Sequence, residues 1–358
     1  MKHLLDMTVP ELRQELEALG ERPYRATQIA AWVYQRGAAD FAGMSDLPAI
    51  LRRKLAEDYA LLTGKAVART DSADGVTKLL IEWPDSQRIE CVLIPNDDRA
   101  TACVSTQVGC PFECTFCASG QGGFVRNLTG GEIVEQILHL GIATGRKVTR
   151  VVFMGMGEPL LNYEATLAAV GAIIDPQRLG VSARHVTIST VGLPKAIRRL
   201  AAENLPVTLA ISLHAPTDAL RRTIMPKAAT AGIQEIIAAA EQFYLSRHRE
   251  VTLEYILIDG VNDTNVCAEA LARLAHQLRC NVNLIRYNPV PPARYQAPSA
   301  GATSMFAQRL GRRGVNVQIR ASRGADALAA CGQLRRQAQE QAPHAEAPSG
   351  PQEASPMQ

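Results

Sequence analysis

The chain has no apolar run approaching the about 18 residues needed to cross a bilayer. Its opening, MKHLLDMTVPELRQE, turns acidic too early for a secretory leader, so a cytoplasmic protein with no membrane partner is expected. Charge of one sign is also missing: 38 Lys and Arg oppose 35 Asp and Glu, leaving +3, which excludes a polybasic nucleic-acid coat. Large apolar side chains are almost absent from residues 337–358, a Gln, Ala, Pro, Ser and Glu tail that cannot offset its ordering entropy and is expected to be disordered. Elsewhere the composition is globular, with 47% hydrophobic residues in 358, enough for one large domain with an accessory piece or for two domains. Eight Cys, three of them within Cys110 to Cys117, suit a metal or redox site better than a secreted disulfide framework.

Thr8 with Glu11 forms a capping box ahead of Leu12, Leu16 and Leu19, and Gly20 stops that helix. A second helix runs from Pro23 to Gly37 and a third from Ser45 to about Tyr59, so residues 1–75 read as a three-helix accessory domain. Its Arg22, Arg25, Arg36, Arg52, Arg53 and Lys54 suit RNA phosphates and an ordinary solvated face equally well. Residues 76–98 read as a β-hairpin connector, Val76 to Trp83 and Arg88 to Ile94 around a Pro84-Asp85-Ser86 turn. Beyond it, strands at Thr101 to Val108, Arg150 to Phe153, His185 to Ser189, Val207 to Ser212, Val251 to Leu257 and Val282 to Arg286 alternate with amphipathic helices. That pattern predicts an α/β fold, six β/α units on a parallel sheet within residues 99–336, with a further strand at Val315 to Arg320.

The strongest signal is Cys110-Pro-Phe-Glu-Cys114-Thr-Phe-Cys117, a C-x3-C-x2-C run where the first β-to-α loop should open. Three thiolates are one short of a closed zinc site or an ordinary ferredoxin cluster. A 4Fe-4S cluster on three cysteines leaves one iron open to a small chelating ligand; the alternative is zinc completed by a remote Cys or His. After the next strand comes Met154-Gly155-Met156-Gly157-Glu158-Pro159, whose glycines let backbone approach a ligand and whose carboxylate can accept from an ammonium. It is not a dinucleotide fingerprint, because Leu160 stands where G-x-G-x-x-G needs its last glycine.

C-x3-C-x2-C followed by Gly-Glu-Pro resembles the radical S-adenosylmethionine (SAM) superfamily. The run of further matches resembles its RlmN/Cfr family of RNA methyltransferases: Arg99-Ala100-Thr101, Arg126-Asn127-Leu128, Ser212-Leu213-His214-Ala215-Pro216 and Ala330-Cys331-Gly332-Gln333-Leu334. The resemblance spans Met1 to about Leu334 and implies a partial (β/α)6 barrel behind an N-terminal RNA-docking domain. By that resemblance Cys110, Cys114 and Cys117 ligate the cluster. SAM meets Gly157, Glu158, Ser189, Ser212, Leu213, His214 and Asn288, all after barrel strands, the end at which such folds build their sites.

The same resemblance makes Cys331 the acceptor of a methyl group from a first SAM, Cys103 its redox partner and Glu90 the proton acceptor. Carbon 2 or carbon 8 of adenine has no nucleophilic lone pair, so simple displacement on the SAM methyl fails there. In the family a second SAM is cleaved to a 5′-deoxyadenosyl radical that abstracts hydrogen from S-methylcysteine, and the methylene radical adds to the base. Loss of an electron and a proton, then attack by Cys103 on Cys331, forms a disulfide and releases the product. The implied targets are an adenosine of the 23S rRNA peptidyl transferase centre and one beside the anticodon in tRNA, splayed out of their stacks. A low-potential electron donor such as flavodoxin and a monomeric state complete that expectation.

Read without the resemblance, Glu90 is a solvent-facing strand residue, Cys103 and Cys331 are buried core thiols, and Cys91, Cys267 and Cys280 are small apolar residues. Arg126, Arg286, Arg294, Arg320 and Arg323 are candidates for phosphate contacts around the mouth. Arg286 and Tyr287 depart from the commonest Pro and Trp of the RlmN pattern, which bears on substrate preference. Two other functions compete: carbon-8 methylation of rRNA, and a zinc-stabilised RNA-binding module without redox chemistry.

Overall fold

The computed structural model describes residues 1–290, 293 and 295–320. Strand β1 (Lys2–His3) leads into helix α1 (Val9–Ala18), which carries the capping box read from the sequence: the Thr8 hydroxyl accepts from Glu11 N–H and the Glu11 carboxylate from Thr8 N–H. Helix α2 (Arg25–Ala30) continues as a π-helical turn over Ala31–Gln35. Helix α3 (Ala49–Asp58) starts after Pro48 rather than at Ser45, and β2 (Tyr59–Ala60) then returns to pair in parallel with β1.

Four antiparallel strands follow: β3 (Lys65–Asp71), β4 (Thr77–Glu82), β5 (Arg88–Asn96) and β6 (Arg99–Cys103). The sequence reading assigned no strand to residues 65–71, because β3 is an edge strand with no buried face and so shows no alternation. The chain then leaves the sheet for a small hairpin, β7 (Gln107–Gly109) and β8 (Phe124–Asn127), which encloses α4 (Ala118–Gln121). The strand expected over Thr101 to Val108 therefore breaks after Cys103. The break has a cause: the buried amide of Gln136 accepts from Ser105 N–H at 2.8 Å and donates to Ser105 C=O at 2.9 Å, removing both groups from the ladder.

From α5 (Gly130–Thr144) onward strand and helix alternate through β9 (Arg150–Phe153), α6 (Tyr163–Ile174), β10 (Val186–Thr190), α7 (Pro194–Ala202) and β11 (Thr208–Ser212). Helices α8 (Asp218–Ile224) and α9 (Ile233–Arg247) precede β12 (Val251–Leu257); α10 (Asn265–Ala275), β13 (Cys280–Arg286), α11 (Ala300–Arg312) and β14 (Val317–Arg320) complete the fold. One sheet of ten strands results, in the order β14-β13-β12-β11-β10-β9-β6-β5-β4-β3, with every neighbouring pair from β6 to β14 parallel. The β/α units and the further strand expected from the sequence are present. The hairpin of residues 76–98 is hydrogen-bonded directly into this sheet through β5 and β6.

Alternation sorts the two faces of the sheet. Toward the helices point Ile89, Leu93, Ala102, Val151, Phe153, Ile188, Ile211, Leu253 and Leu284, part of one continuous core. The strand registers place Lys78, Glu90, Cys103, Ser189, Ser212, Glu254, Asn283 and Arg320 on the other face. A polar inner face is poor at burying itself and good at holding a polar ligand.

Helix α5 ties the helical segment to the sheet. Its buried Glu135 accepts from Gly64 N–H at 2.7 Å and Thr63 Oγ1 at 2.9 Å, and pairs with His3 and His139 at 3.1 Å each. Burial opposes ionisation there, but the hydrogen bonds from His139 and His3 prevail and hold the carboxyl down to about 2. Asp6 accepts from Gly131 N–H at 2.6 Å in the first turn of α5, where negative charge is favoured. Among the described residues no helix is long and apolar enough to cross a membrane.

Candidate active site

The three clustered cysteines lie between β7 and α4 in a loop clasped at its base. Cys110 N–H donates to Gly123 C=O at 3.0 Å, and Gly109, at φ +79°, sits so close that a Cβ there would fall 1.8 Å from the Gly123 oxygen. Cys117 N–H donates to Cys114 C=O, and Thr115 N–H reaches Ile224 C=O at the end of α8, both at 3.0 Å. Phe112, Ala215, Ile224, Met225 and Ala228 form a small apolar cluster against which Cys110 and Cys114 pack.

Burial pushes the Cys110 thiol up to about 12, against the pull of the Phe112 and Gly157 backbone amides. Cys114 is raised by burial and by the nearness of Cys117 and Cys110. The thiols thus feel one another's charge, and ligation would drive their protons off. No disulfide joins any two described cysteines, so the redox pairing expected for Cys103 and Cys331 has one member outside the described residues. Among the described residues no group of three or more His, Cys, Asp and Glu converges tightly enough for a single metal ion. Three partly buried thiols, with the Phe112 and Gly157 backbone N–H groups aimed at the Cys110 sulfur, fit the three-cysteine iron–sulfur cluster expected from the sequence.

Gly157 and Glu158 follow β9. Gly157 has φ +99°, and a Cβ there would meet the Gln107 side chain at 2.6 Å, so only glycine permits this approach. Glu158 is buried, its two oxygens accepting from Leu160 N–H at 3.0 Å and Val191 N–H at 2.8 Å. Burial raises its carboxyl to about 7, opposed by the Val191 and Leu160 amides and the Thr190 hydroxyl. Ser189 on β10 and Ser212 at the end of β11 place their hydroxyls 3.3 Å apart. Leu213 is buried beneath, while His214 adopts φ +56° and accepts from Ile256 N–H through Nδ1 at 3.1 Å. Burial, then Arg221, lowers His214 to about 3, so the ring is neutral and its proton sits on Nε2. Asn288 follows β13 and is half-buried.

Glu90 is not a solvent-facing strand residue. It is buried on the inner face and paired with Lys78 Nζ at 2.9 Å, the two side chains being 1% and 0% exposed. Alternation alone misassigned it because the antiparallel strands fold their second face inward as well. Val92 stands opposite both Lys78 and Cys103 in register, so Glu90, Lys78 and Cys103 share one face over three adjacent strands. Cys331 lies outside the described residues. Cys91 packs in the core, and Cys267 and Cys280 pack against it.

The rim arginines are engaged in other ways than expected. Arg126 bridges Asp85 at 2.6 Å and Glu132 at 2.8 Å, Arg286 donates to Pro298 C=O, and Arg320 turns inward to Glu254 at 3.8 Å and Met154. Arg294 and Arg323 lie outside the described residues. On the helical segment, Arg25 donates to Asp46 C=O, Arg52 donates to Ala42 C=O and Arg36, though exposed, stacks on Trp32; Arg22, Arg53 and Lys54 are exposed as well. Sequence reading also missed Lys78, Arg221 and Glu254. A lysine inside the apolar run Val76 to Ile81 was the available signal for the first; nothing local marks the others.

The family described as the Radical SAM superfamily matches residues 104–270, and that described as the ribosomal RNA large subunit methyltransferase N-terminal domain matches residues 2–61. A protein of Rhodopirellula baltica named as a probable dual-specificity RNA methyltransferase RlmN is 42% identical over 336 residues, 93% of this chain and 91% of that one. A like-named protein of Thermus thermophilus is 45% identical over 335 residues, covering 93% and 94%. A crystal structure of a radical SAM methyltransferase from Sphaerobacter thermophilus superposes with a TM-score of 0.89 at 44% identity, covering 93% of this chain and 99% of that one.

Proposed function

The chain belongs to the RlmN family of radical SAM RNA methyltransferases, and from that premise we propose that it methylates carbon 2 of an adenosine in 23S rRNA and in tRNA. The observation that carries the reading is the shared inner face: the buried Glu90–Lys78 pair and Cys103 line the same sheet surface as Ser189 and Ser212, beside the three-cysteine loop. Membership in this family leaves the redox-free zinc module without support.

Cys110, Cys114 and Cys117 hold a 4Fe-4S cluster, and Glu158, the Gly157 backbone, Ser189, Ser212, Leu213, His214 and Asn288 contact SAM. The bound cluster supplies, with SAM, the one-electron cleavage that makes hydrogen abstraction from a methyl group possible. Cys331 carries that methyl group and then the carbon bonded to the base. Glu90 takes the proton from carbon 2, a task suited to a carboxylate held in a fixed place by Lys78. Cys103, two strands from Lys78, attacks the Cys331 sulfur and frees the methylated base. Flavodoxin-type reduction, a monomeric state and a cytoplasmic site of action belong to the same proposal.

Mass spectrometry of nucleosides from rRNA and tRNA, in a host lacking its own family member, tests it. The gene should add 2-methyladenosine to both fractions; 8-methyladenosine instead would refute the regiochemistry. Cys331→Ala should keep the cluster and lose product, and Cys103→Ala should accumulate as a nuclease-sensitive RNA adduct.

A further inference from the structure

Helix α8 carries a charge that no described carboxylate meets at ion-pair distance. Arg221 is fully buried, at 0% exposure. Its Nη2 donates to Val191 C=O, but the buried Nε and Nη1 have no hydrogen-bond partner among the described residues. Among the described residues no carboxylate lies within ion-pair distance of it, and Asp218 acts only from further off. A guanidinium does not give up its proton inside a protein. An unpaired buried charge is costly, and such groups persist where something anionic completes them.

The anion is indicated by what surrounds the helix. Leu220 and Ile224, on either side of Arg221 in sequence, pack in the same cluster as Cys110, Cys114, Phe112 and Phe116. Arg221 is close enough to Cys114 for each to bias the other's charge. Its acceptor, Val191, is in turn held by Glu158 through its N–H, which fixes the guanidinium beneath the loop.

We propose that Arg221 is the countercharge of the iron–sulfur centre, offering its Nε and Nη1 N–H groups to the sulfurs of a cluster on Cys110, Cys114 and Cys117 and setting its reduction potential. This rests on the cluster assignment made above. Net charge and hydrogen bonds to sulfur are the levers by which a protein tunes such a potential. A fixed positive charge favours the reduced, more negative cluster.

The test is an EPR-monitored redox titration of anaerobically reconstituted wild type, Arg221→Gln and Arg221→Lys without SAM, with SAM affinity measured in parallel by equilibrium dialysis. Arg221→Gln keeps a donor for Val191 but loses the charge. At a fixed potential its reduced-to-oxidised ratio should fall at least about tenfold, 59 mV for one electron, while Arg221→Lys stays close to wild type. An unchanged potential overturns the proposal, and if SAM affinity alone falls, the guanidinium serves the SAM carboxylate instead. Should Arg221→Gln take up no cluster, its metal-free melting decides. Relief of an unpaired charge requires that it melt no lower than metal-free wild type, and a lower midpoint makes Arg221 structural and overturns the proposal. A wild type that takes up no iron refutes the cluster assignment itself, and this inference with it.

Discussion

Lys78→Met is the sharpest single perturbation of the inner face. The ammonium lies 2.9 Å from the Glu90 carboxylate with both side chains sealed from water, so its removal takes this ion pair away from a buried carboxylate. Breaking one partner of such a pair costs about 3–5 kcal/mol. With a urea dependence of about 3 kcal/mol/M for a chain of this size, the unfolding midpoint should drop by about 1–2 M. The control is Lys78→Met with Glu90→Leu, which removes both charges and should restore the midpoint to within about 0.5 M, because well-packed apolar groups commonly replace a buried ion pair at little cost. Both are measured by circular dichroism on metal-free protein at pH 7, where neither RNA nor SAM contributes. A single variant whose midpoint moves by less than about 0.3 M would show that Glu90 is not held by this contact, and the account of how its carboxylate is positioned would fall with it.

Three further outcomes are expected. Because Glu158 titrates near 7 in the folded protein against 4.5 as its ordinary value, the folded state holds a proton the unfolded chain releases; its contribution is complete below about pH 4.5 and lost as pH rises through about 7, about 3 kcal/mol in all. Wild type should therefore lose stability relative to Glu158→Gln between pH 5 and 8, and parallel melting curves would sink the assignment. Cys114→Ala should fall from about four irons per chain to near none after anaerobic reconstitution, with its fold retained by circular dichroism, since two thiolates cannot hold the cluster; full iron content would refute the ligand set. Glu135→Ala removes the acceptor of Gly64 N–H and Thr63 and should cost about 2–4 kcal/mol, with limited proteolysis opening first near residues 61–65; unchanged cleavage there would count against the tie between helical segment and sheet.

What the sequence disclosed was whatever has a local cause. Thr8 caps a helix through a glutamate three residues on, and β9 and β12 fall where their apolar residues put them. The three-cysteine loop is legible because its spacing is itself the signal. What escaped depends on pairings that only the folded sheet creates. Gln136 breaks β6 from thirty-one positions away. Lys78 meets Glu90 only once β4 and β5 are in register. Helix α11 was missed because it buries just Thr303, Phe306 and Leu310, too sparse a stripe to read. Arg221 looks in sequence like one of two ordinary helix arginines, and only packing separates the buried one from exposed Arg222.

The clasp at the base of the cysteine loop bears on how such a protein ages. Cys110 is tied to Gly123, β7 to β8, and Thr115 to α8, all through backbone groups that owe nothing to iron. The loop is therefore a socket and not a rivet: its clasp is closed by backbone hydrogen bonds that involve no thiolate. A chain that has lost its cluster is expected to keep this clasp, and with it the placing of the three cysteines. Reloading is then expected to need only iron and sulfide, whereas a zinc finger, which unfolds on losing its metal, must also refold.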